Sequence, residues 1–316
     1  MKKTLESLFK DKKILVTGGT GSIGSEIVRQ LLIYLPNQIR IYSRDETKHY
    51  QFQQDNAEHY KSGILRSLIG DIRDKERLDR AMNGIDIVFH AAALKHVQYC
   101  EYNPFEAIKT NVSGTQNVID LAIKHNVKRV VAISTDKAVN PNTFMGITKL
   151  LMERMVISSH HYLGDAECKF SVVRFGNVLN SRGSVIPTWI QQIKNNQPVT
   201  VTDKRMMRFF MSIPEAVGLV FSAMEHMHGQ EIFVLKMEER NIYELAREVI
   251  GIHGGGKNIK IKLTGIREKE QLNELLFTDE ERKNMLENDR FYIILPDPTY
   301  FKRAEGKYGK FKAVGN

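Results

Sequence analysis

Short apolar runs alternate with longer amphipathic stretches through the first half of the chain. Lys13–Thr17, Gln38–Tyr42, Leu65–Ile69, Ile85–Ala91 and Arg129–Ser134 are brief and apolar, the pattern of strands buried on both faces. Between them, Ser22–Leu35, a polar stretch reaching about Tyr60, Asp74–Asn83 and Pro104–His125 carry helical periodicity. Met145–His160 predicts a further helix and Phe170–Phe175 a sixth strand. This alternation predicts an α/β fold of Rossmann type, a doubly wound parallel sheet with helices on both faces. After Gly176 the pattern shortens, broken by Gly183, Pro187, Pro198, Pro214 and the run Gly254–Gly256. No clean linker separates the halves. Residues 1–176 are therefore read as the Rossmann domain, and 177–316 as a smaller, interleaved C-terminal domain with segments returning to the first. The aromatic and lysine-rich tail Tyr300–Asn316 reads as a subunit contact or a frayed end.

Composition narrows the class. Of 316 residues, 42% are hydrophobic and 26% charged, as in globular proteins and unlike disordered or collagen-like chains. No apolar run approaches the ~20 residues of a membrane helix, and the first residues, MKKTLESLFKDKK, lack a secretory apolar core. Two cysteines, Cys100 and Cys168, make no disulfide framework, so a cytoplasmic protein with no membrane partner is expected. The net charge of +9 suits polyanionic small molecules. Its lysines and arginines are scattered apart from two denser ends, and no zinc or nucleic-acid recognition pattern accompanies them. Neither nucleic acid nor metal is expected as a partner.

The strongest local signal is VTGGTGSIG, after the first strand and opening the first long helix. Gly18 suits the tight turn, Gly21 a close backbone approach by a pyrophosphate, and Gly24 helix–strand packing. Free N–H groups at the helix start then hold the diphosphate. Gly18, Thr20, Gly21, Ser22, Ile23 and Gly24 are accordingly candidate dinucleotide-binding residues. The end of the second strand selects the dinucleotide. Ser43 and Arg44 suit the 2′-phosphate of NADP, while Asp45 reads as the start of the next helix. Asp71 and Ile72 follow the third strand, where a carboxylate can accept from an adenine amino group. Ala91 and Ala92 after the fourth strand serve either close cofactor approach or a plain helix start. Lys95 and Asn111 are counted with the cofactor site, and the nearby His96 is read as structural.

Ser134-Thr135-Asp136-Lys137 closes the fifth strand, and Met145-Gly146-Ile147-Thr148-Lys149 opens the next helix. This is similar to the short-chain dehydrogenase/reductase layout of Ser/Thr followed by Tyr-x-x-x-Lys, with Met145 at the tyrosine position and Lys149 retained. Methionine moves no proton, which leaves a dead nicotinamide sensor as one reading. Asp136-Lys137 supports another: an acid–base pair beside the strand end, with the lysine tuned toward the neutral amine. An exposed ion pair in a loop fits the same residues.

STDKAVNPNTFMGITKLLMERM with FGNVLNSRGSVIPTWIQQI resembles the nucleotide-sugar 4,6-dehydratases of bacterial surface-glycan synthesis, extended short-chain dehydrogenase/reductases. YSRDETK, GDIRD, HAAALKHV, EYNPFEAIKTNV, RFFMSIPEAV and TGIREKEQLNELL agree in order, so the likeness runs from about Lys12 to Pro296. It implies a redox-neutral reaction on UDP-N-acetylglucosamine, or the GDP sugar, with NADP as cofactor, in a homo-oligomer. Hydride leaves C4, water is lost across C5–C6, and hydride returns to C6. In that scheme Lys137 is the base at C5, Asp136 the acid at the C6 hydroxyl, and Thr135 a partner of the C4 oxygen. Met145 shapes the pocket and Lys149 holds the nicotinamide ribose. The first C4 proton leaves through Lys137, Asp136 or a water on Thr135, with no choice among them. Asn177, Arg182, Ser184, Arg208, Arg267 and Glu270 carry over to the nucleotide sugar; Glu270 or Glu274 can hold a ribose or a phosphate-binding arginine, with a solvated helix face the preferred reading for Glu274. A 4-epimerase and a non-catalytic NADP-binding regulator are the alternatives.

Overall fold

The structure is a computed structural model describing residues 2–304 and 306–314. Its strands are β1 (Lys13–Thr17), β2 (Gln38–Ser43), β3 (Leu65–Ile69), β4 (Ile87–His90), β5 (Arg129–Thr135), β6 (Lys169–Phe175), β7 (Asn177–Val178), β8 (Val199–Val201), β9 (Met207–Met211), β10 (Ile232–Leu235), β11 (Glu238–Asn241), β12 (Ile261–Leu263), β13 (Met285–Glu287), β14 (Phe291–Ile294) and β15 (Lys312–Ala313). Ten of them form one sheet in the order 15-13-14-10-6-5-4-1-2-3. From β3 through β1 to β6 and β10 every neighbour is parallel. β14, β13 and β15 then add antiparallel.

Helices cover both faces. Ser22–Leu31 and Ile213–His226 pack on one side, where Phe9, Tyr34, Phe89 and Phe221 make an aromatic cluster. Lys75–Met82, Gly114–Lys124 and Phe144–Ser158 pack on the other, over Leu15, Val88, Val130 and Val172. The fold is thus an α/β Rossmann-type sandwich, and strand order reverses between β1 and β4, where such sheets open a crevice. A third apolar cluster, including Trp189, Ile193, Val201 and Leu245, joins helices Val185–Lys194 and Ile242–His253 to the pair β8–β12. Among the described residues no helix is long and apolar enough to cross a membrane.

Several predicted helices are shorter or divided. Ser22–Leu35 stops at Leu31, continues as a 3₁₀ turn to Tyr34, and ends where Leu35 adopts φ +52°. The polar stretch splits at Asn56 into Glu46–Asp55 and Ala57–Lys61. Pro104–His125 is interrupted by a π turn over Ile108–Ser113, a local widening common at functional sites. The tail forms helix Pro298–Ala304 and edge strand β15, with Tyr308 buried and donating to Glu231; Asn316 lies outside the described residues.

Candidate active site

A cavity of about 1380 Å³ opens at the crevice, bounded by the glycine turn, the ends of β4 and β5, residues 176–189 and the segment 267–274. Ordinary ligand pockets measure roughly 300–1,000 Å³, so this one accommodates two sizeable ligands side by side.

The glycine turn forms one end. Gly18 has φ +66°, and a Cβ there would lie 2.8 Å from the Ala91 carbonyl and the Ala92 nitrogen. The bare glycine therefore lets the turn after β1 pack directly on the backbone that follows β4. Helix Ser22–Leu31 starts behind it with no side chain capping its first N–H groups, an arrangement that attracts an anion. Thr20, Gly21, Ser22, Ile23, Gly24, Ser43, Arg44, Ile72, Ala91, Ala92 and Lys95 all border the cavity. Asp45 caps helix Glu46–Asp55 by accepting from the Lys48 N–H, as its position after Arg44 suggested. Ser43 is held from behind: its hydroxyl pairs with Thr20 at 2.8 Å and with the buried His49 at 2.9 Å.

Two cofactor candidates sit differently from expectation. Asp71 turns its carboxylate to Arg73 and Arg44 and does not border the cavity, while its neighbours Gly70 and Ile72 do. Asn111 is buried in the π turn, where its amide spans the Leu94 N–H and carbonyl at 2.8 and 3.0 Å. It shapes the loop after β4 from behind, because the wider turn carries its side chain onto that backbone. His96 lies at the cavity wall, beneath Gly183.

The β5 end gathers a carboxylate, an ammonium group and a hydroxyl. Thr135 donates to Asp136 Oδ1 at 2.8 Å, and Lys137 Nζ lies 3.1 Å from the same oxygen. Asp136 is fully buried, and its Oδ2 has no hydrogen-bond partner. Ser134, Ser184 and Thr110 likewise bury unpartnered hydroxyl oxygens at the cavity wall. Buried polar atoms are rarely left unmatched without a reason. Lys149 is buried, donates to the Ile133 carbonyl at 2.7 Å, and burial pulls its pKa down to about 8 against the opposing pull of Glu153 and Cys100. Met145 is buried against Cys100 and Ala107 and reaches the cavity.

Lys137 departs from the reading of a lysine tuned toward neutrality. Burial lowers its pKa, but Asp136 and Glu274 together outweigh burial and hold it above the ordinary lysine value. Its resting form is the ammonium. Glu274 is correspondingly no solvated helix residue: it is buried outside any helix, with Oε1 3.3 Å from Lys137 Nζ and 3.6 Å from Arg208 Nε. The clue available in the chain was the pairing of Glu270 and Glu274 just after Arg267; what it lacked was the identity of the cations they meet.

The remaining candidates divide between the ends of the cavity. Arg208 is buried, donates to the carbonyls of Met207, Gln271 and Leu272, and lies 3.9 Å from Glu270. Asn177, Ser184, Arg267 and Glu270 border the same end. Arg182 sits elsewhere: its guanidinium donates to the Thr20 carbonyl at 2.5 Å and its N–H to Ser22 Oγ at 3.0 Å. That places it over the glycine turn, beside Lys95, which donates to the Arg182 carbonyl. The Lys269–Glu101 ion pair, at 2.8 Å, ties the 267–274 segment to the opposite wall.

Fold and crevice define the extended Rossmann class, in which a dinucleotide fold carries a second lobe over its strand ends. Within that class, the chain belongs to the family described as polysaccharide biosynthesis protein, whose pattern matches residues 14–296. It is 43% identical over 291 residues to a UDP-N-acetylglucosamine 4,6-dehydratase (inverting) of Campylobacter jejuni, covering 92% of this chain and 84% of that one. It is also 43% identical over 310 residues to a UDP-glucose 4-epimerase of Rickettsia massiliae, covering 95% and 89%. Among solved structures, Pen from Bacillus thuringiensis superposes with a TM-score of 0.88 at 43% identity, covering 91% of this chain and 90% of that one.

Proposed function

We propose that the protein is an NADP-dependent nucleotide-sugar 4,6-dehydratase that converts UDP-N-acetylglucosamine to its 4-keto-6-deoxy derivative for surface-glycan or nonulosonic acid synthesis. The observation that carries this reading is Asp136, fully buried, with one oxygen bonded to Thr135 and Lys137 and the other unpartnered. A family member of that name in Campylobacter jejuni supports it.

The tight glycine turn at Gly18, the uncapped helix start and the unpartnered hydroxyls fit a nicotinamide dinucleotide. The turn residues, with Arg182 and Lys95 above them, would hold its diphosphate. Ser43 and Arg44 favour the 2′-phosphate of NADP, and Lys149 reaches the ribose of the nicotinamide. When bound, the dinucleotide accepts hydride from sugar C4 and returns it at C6. Arg208, Arg267, Asn177, Ser184 and Glu270 hold the sugar nucleotide at the other end.

The chain's own groups then manage protons. Thr135 already donates to Asp136 Oδ1, so its oxygen accepts from the C4 hydroxyl and passes that proton to Asp136. Asp136 delivers it to the departing C6 hydroxyl, which leaves as water. Lys137, whose side chain is 25% exposed, first releases its resting proton to solvent; the free amine then takes the C5 proton and later returns it, so the balance is one water lost. Met145 removes the tyrosine route and leaves this one.

The Rickettsia relative makes a 4-epimerase the second reading. Epimerisation needs a proton relay at C4 alone and leaves Lys137 without a task. Exposed Phe105 on helix Pro104–Ala107, with Ile147 and Leu151 on Phe144–Ser158, supports a homo-oligomer, and the two free, buried cysteines suit a cytoplasmic setting. The test is mass spectrometry of UDP-N-acetylglucosamine incubated with the protein and no added reductant. A product lighter by one water, about 18 Da for a redox-neutral elimination, is expected. An unchanged mass with an inverted C4 hydroxyl by NMR establishes the epimerase, product only from the GDP sugar changes the base, and silence with both leaves a regulator.

A further inference from the structure

Lys137 reaches into the cavity between two carboxylates that come from different parts of the chain. Asp136 is its neighbour on the short turn after β5, at 3.1 Å. Glu274 comes from the segment between β12 and β13, at 3.3 Å. That segment has little regular structure of its own, yet it is firmly placed. Arg174, buried in β6, donates to the Leu276 carbonyl at 2.8 Å. Arg208 donates to the Gln271 and Leu272 carbonyls, both at 2.8 Å, and stands 3.6 Å from Glu274.

We propose that Glu274 is a positioning residue for the elimination step, acting through Lys137: it shares the ammonium group with Asp136 and so fixes Nζ between two carboxylates at the cavity wall. This rests on the dehydratase reading and extends it to a residue outside the Asp136–Lys137 pair. The geometry argues for it in three ways. Glu274 is itself buried, so its charge is poorly screened. Its partners are two cations, one on the chemistry and one among the residues assigned to the sugar nucleotide. And Asp136, drawn to Lys137 on one oxygen only, keeps Oδ2 without a partner. With Glu274 removed, Nζ keeps Asp136 and loses the contact that fixes it from the 267–274 segment.

The charged groups facing Lys137 are Asp136 from its own turn, Glu274 from the 267–274 segment and Arg208 from β9. Replacing Glu274 by Gln keeps the shape and removes one of the two negative charges. Opposite charges this close move a pKa by about 1–3 units, so the lysine midpoint falls.

The experiment compares wild type with Glu274→Gln and Glu274→Asp. NMR titration of the Lys137 side-chain carbons, assigned by Lys137→Arg, needs no turnover and tests the contact directly. In Glu274→Gln the midpoint is expected to fall by about one unit or more. With UDP-N-acetylglucosamine, the plateau kcat is expected to fall about tenfold, with the rising limb of its pH profile moved toward acid, while NADP binds within about twofold of wild type. Glu274→Asp recovers part of kcat. An unchanged midpoint overturns the inference whatever the substrate proves to be. So does a loss confined to KM, or a loss of kcat with an unmoved pH limb. Absence of turnover in the wild type instead refutes the dehydratase reading, and the NMR midpoint still decides the placement of Glu274.

Discussion

Arg174 links the sheet, the helix bearing Lys149 and the segment bearing Glu274, and its removal should be felt in all three. Its guanidinium is 1% exposed and bonds Glu153 at 2.8 and 3.2 Å, Glu281 at 2.9 and 3.1 Å, and the Leu276 carbonyl. Glu153 is also 1% exposed, whereas Glu281 keeps a second task, closing a capping box with Thr278. Arg174→Met therefore strands Glu153 more than Glu281. Breaking one side of a buried ion pair costs about 3–5 kcal/mol, mostly from the charge left behind. Urea unfolding of the apo protein, followed by circular dichroism, should show a loss in that range for Arg174→Met. The double variant Arg174→Met/Glu153→Leu should recover most of it, because an apolar pair of similar volume replaces the stranded carboxylate. KM for the sugar nucleotide should rise in both variants, since both lose the bond to Leu276. A single-variant loss below about 1 kcal/mol, or a double variant no more stable than the single, would refute the reasoning.

Three further outcomes follow from the site. Lys149 has a folded pKa of about 8 against 10.5 for the free side chain, so the unfolded chain binds more protons between those values and this group adds stability as pH rises through them. Relative to Lys149→Met, wild-type unfolding free energy should gain about 3 kcal/mol from pH 8 to 10.5; a parallel pH dependence in the two proteins would contradict the burial argument. Gly18→Ala places a methyl 2.8 Å from the Ala91 carbonyl at φ +66° and should weaken NADP binding by calorimetry at least about tenfold, with unchanged affinity counting against a role for the tight turn. Arg44→Glu should weaken NADP roughly ten- to hundredfold while NAD changes little; equal losses for both would remove Arg44 from the 2′-phosphate.

The parts of the molecule visible in the chain are those whose cause is local. A strand such as Arg129–Thr135 is apolar because both its faces are covered, and VTGGTGSIG must be small where the backbone turns under a diphosphate. The β13–β15 edge was not visible, since strands of two to four residues carry no period to read. The π turn around Asn111 was hidden for a related reason: its sequence is helical throughout, and the widening answers a bond to Leu94 on another element. Lys137 and Glu274 are the sharpest case. Read along the chain, the lysine had one carboxylate beside it and a cofactor ahead, which argues for a neutral amine. The fold supplies a second carboxylate from a segment whose own sequence looks like polar surface, and that changes the sign of the pKa shift. A residue's charge state in such a site is a property of the tertiary contacts.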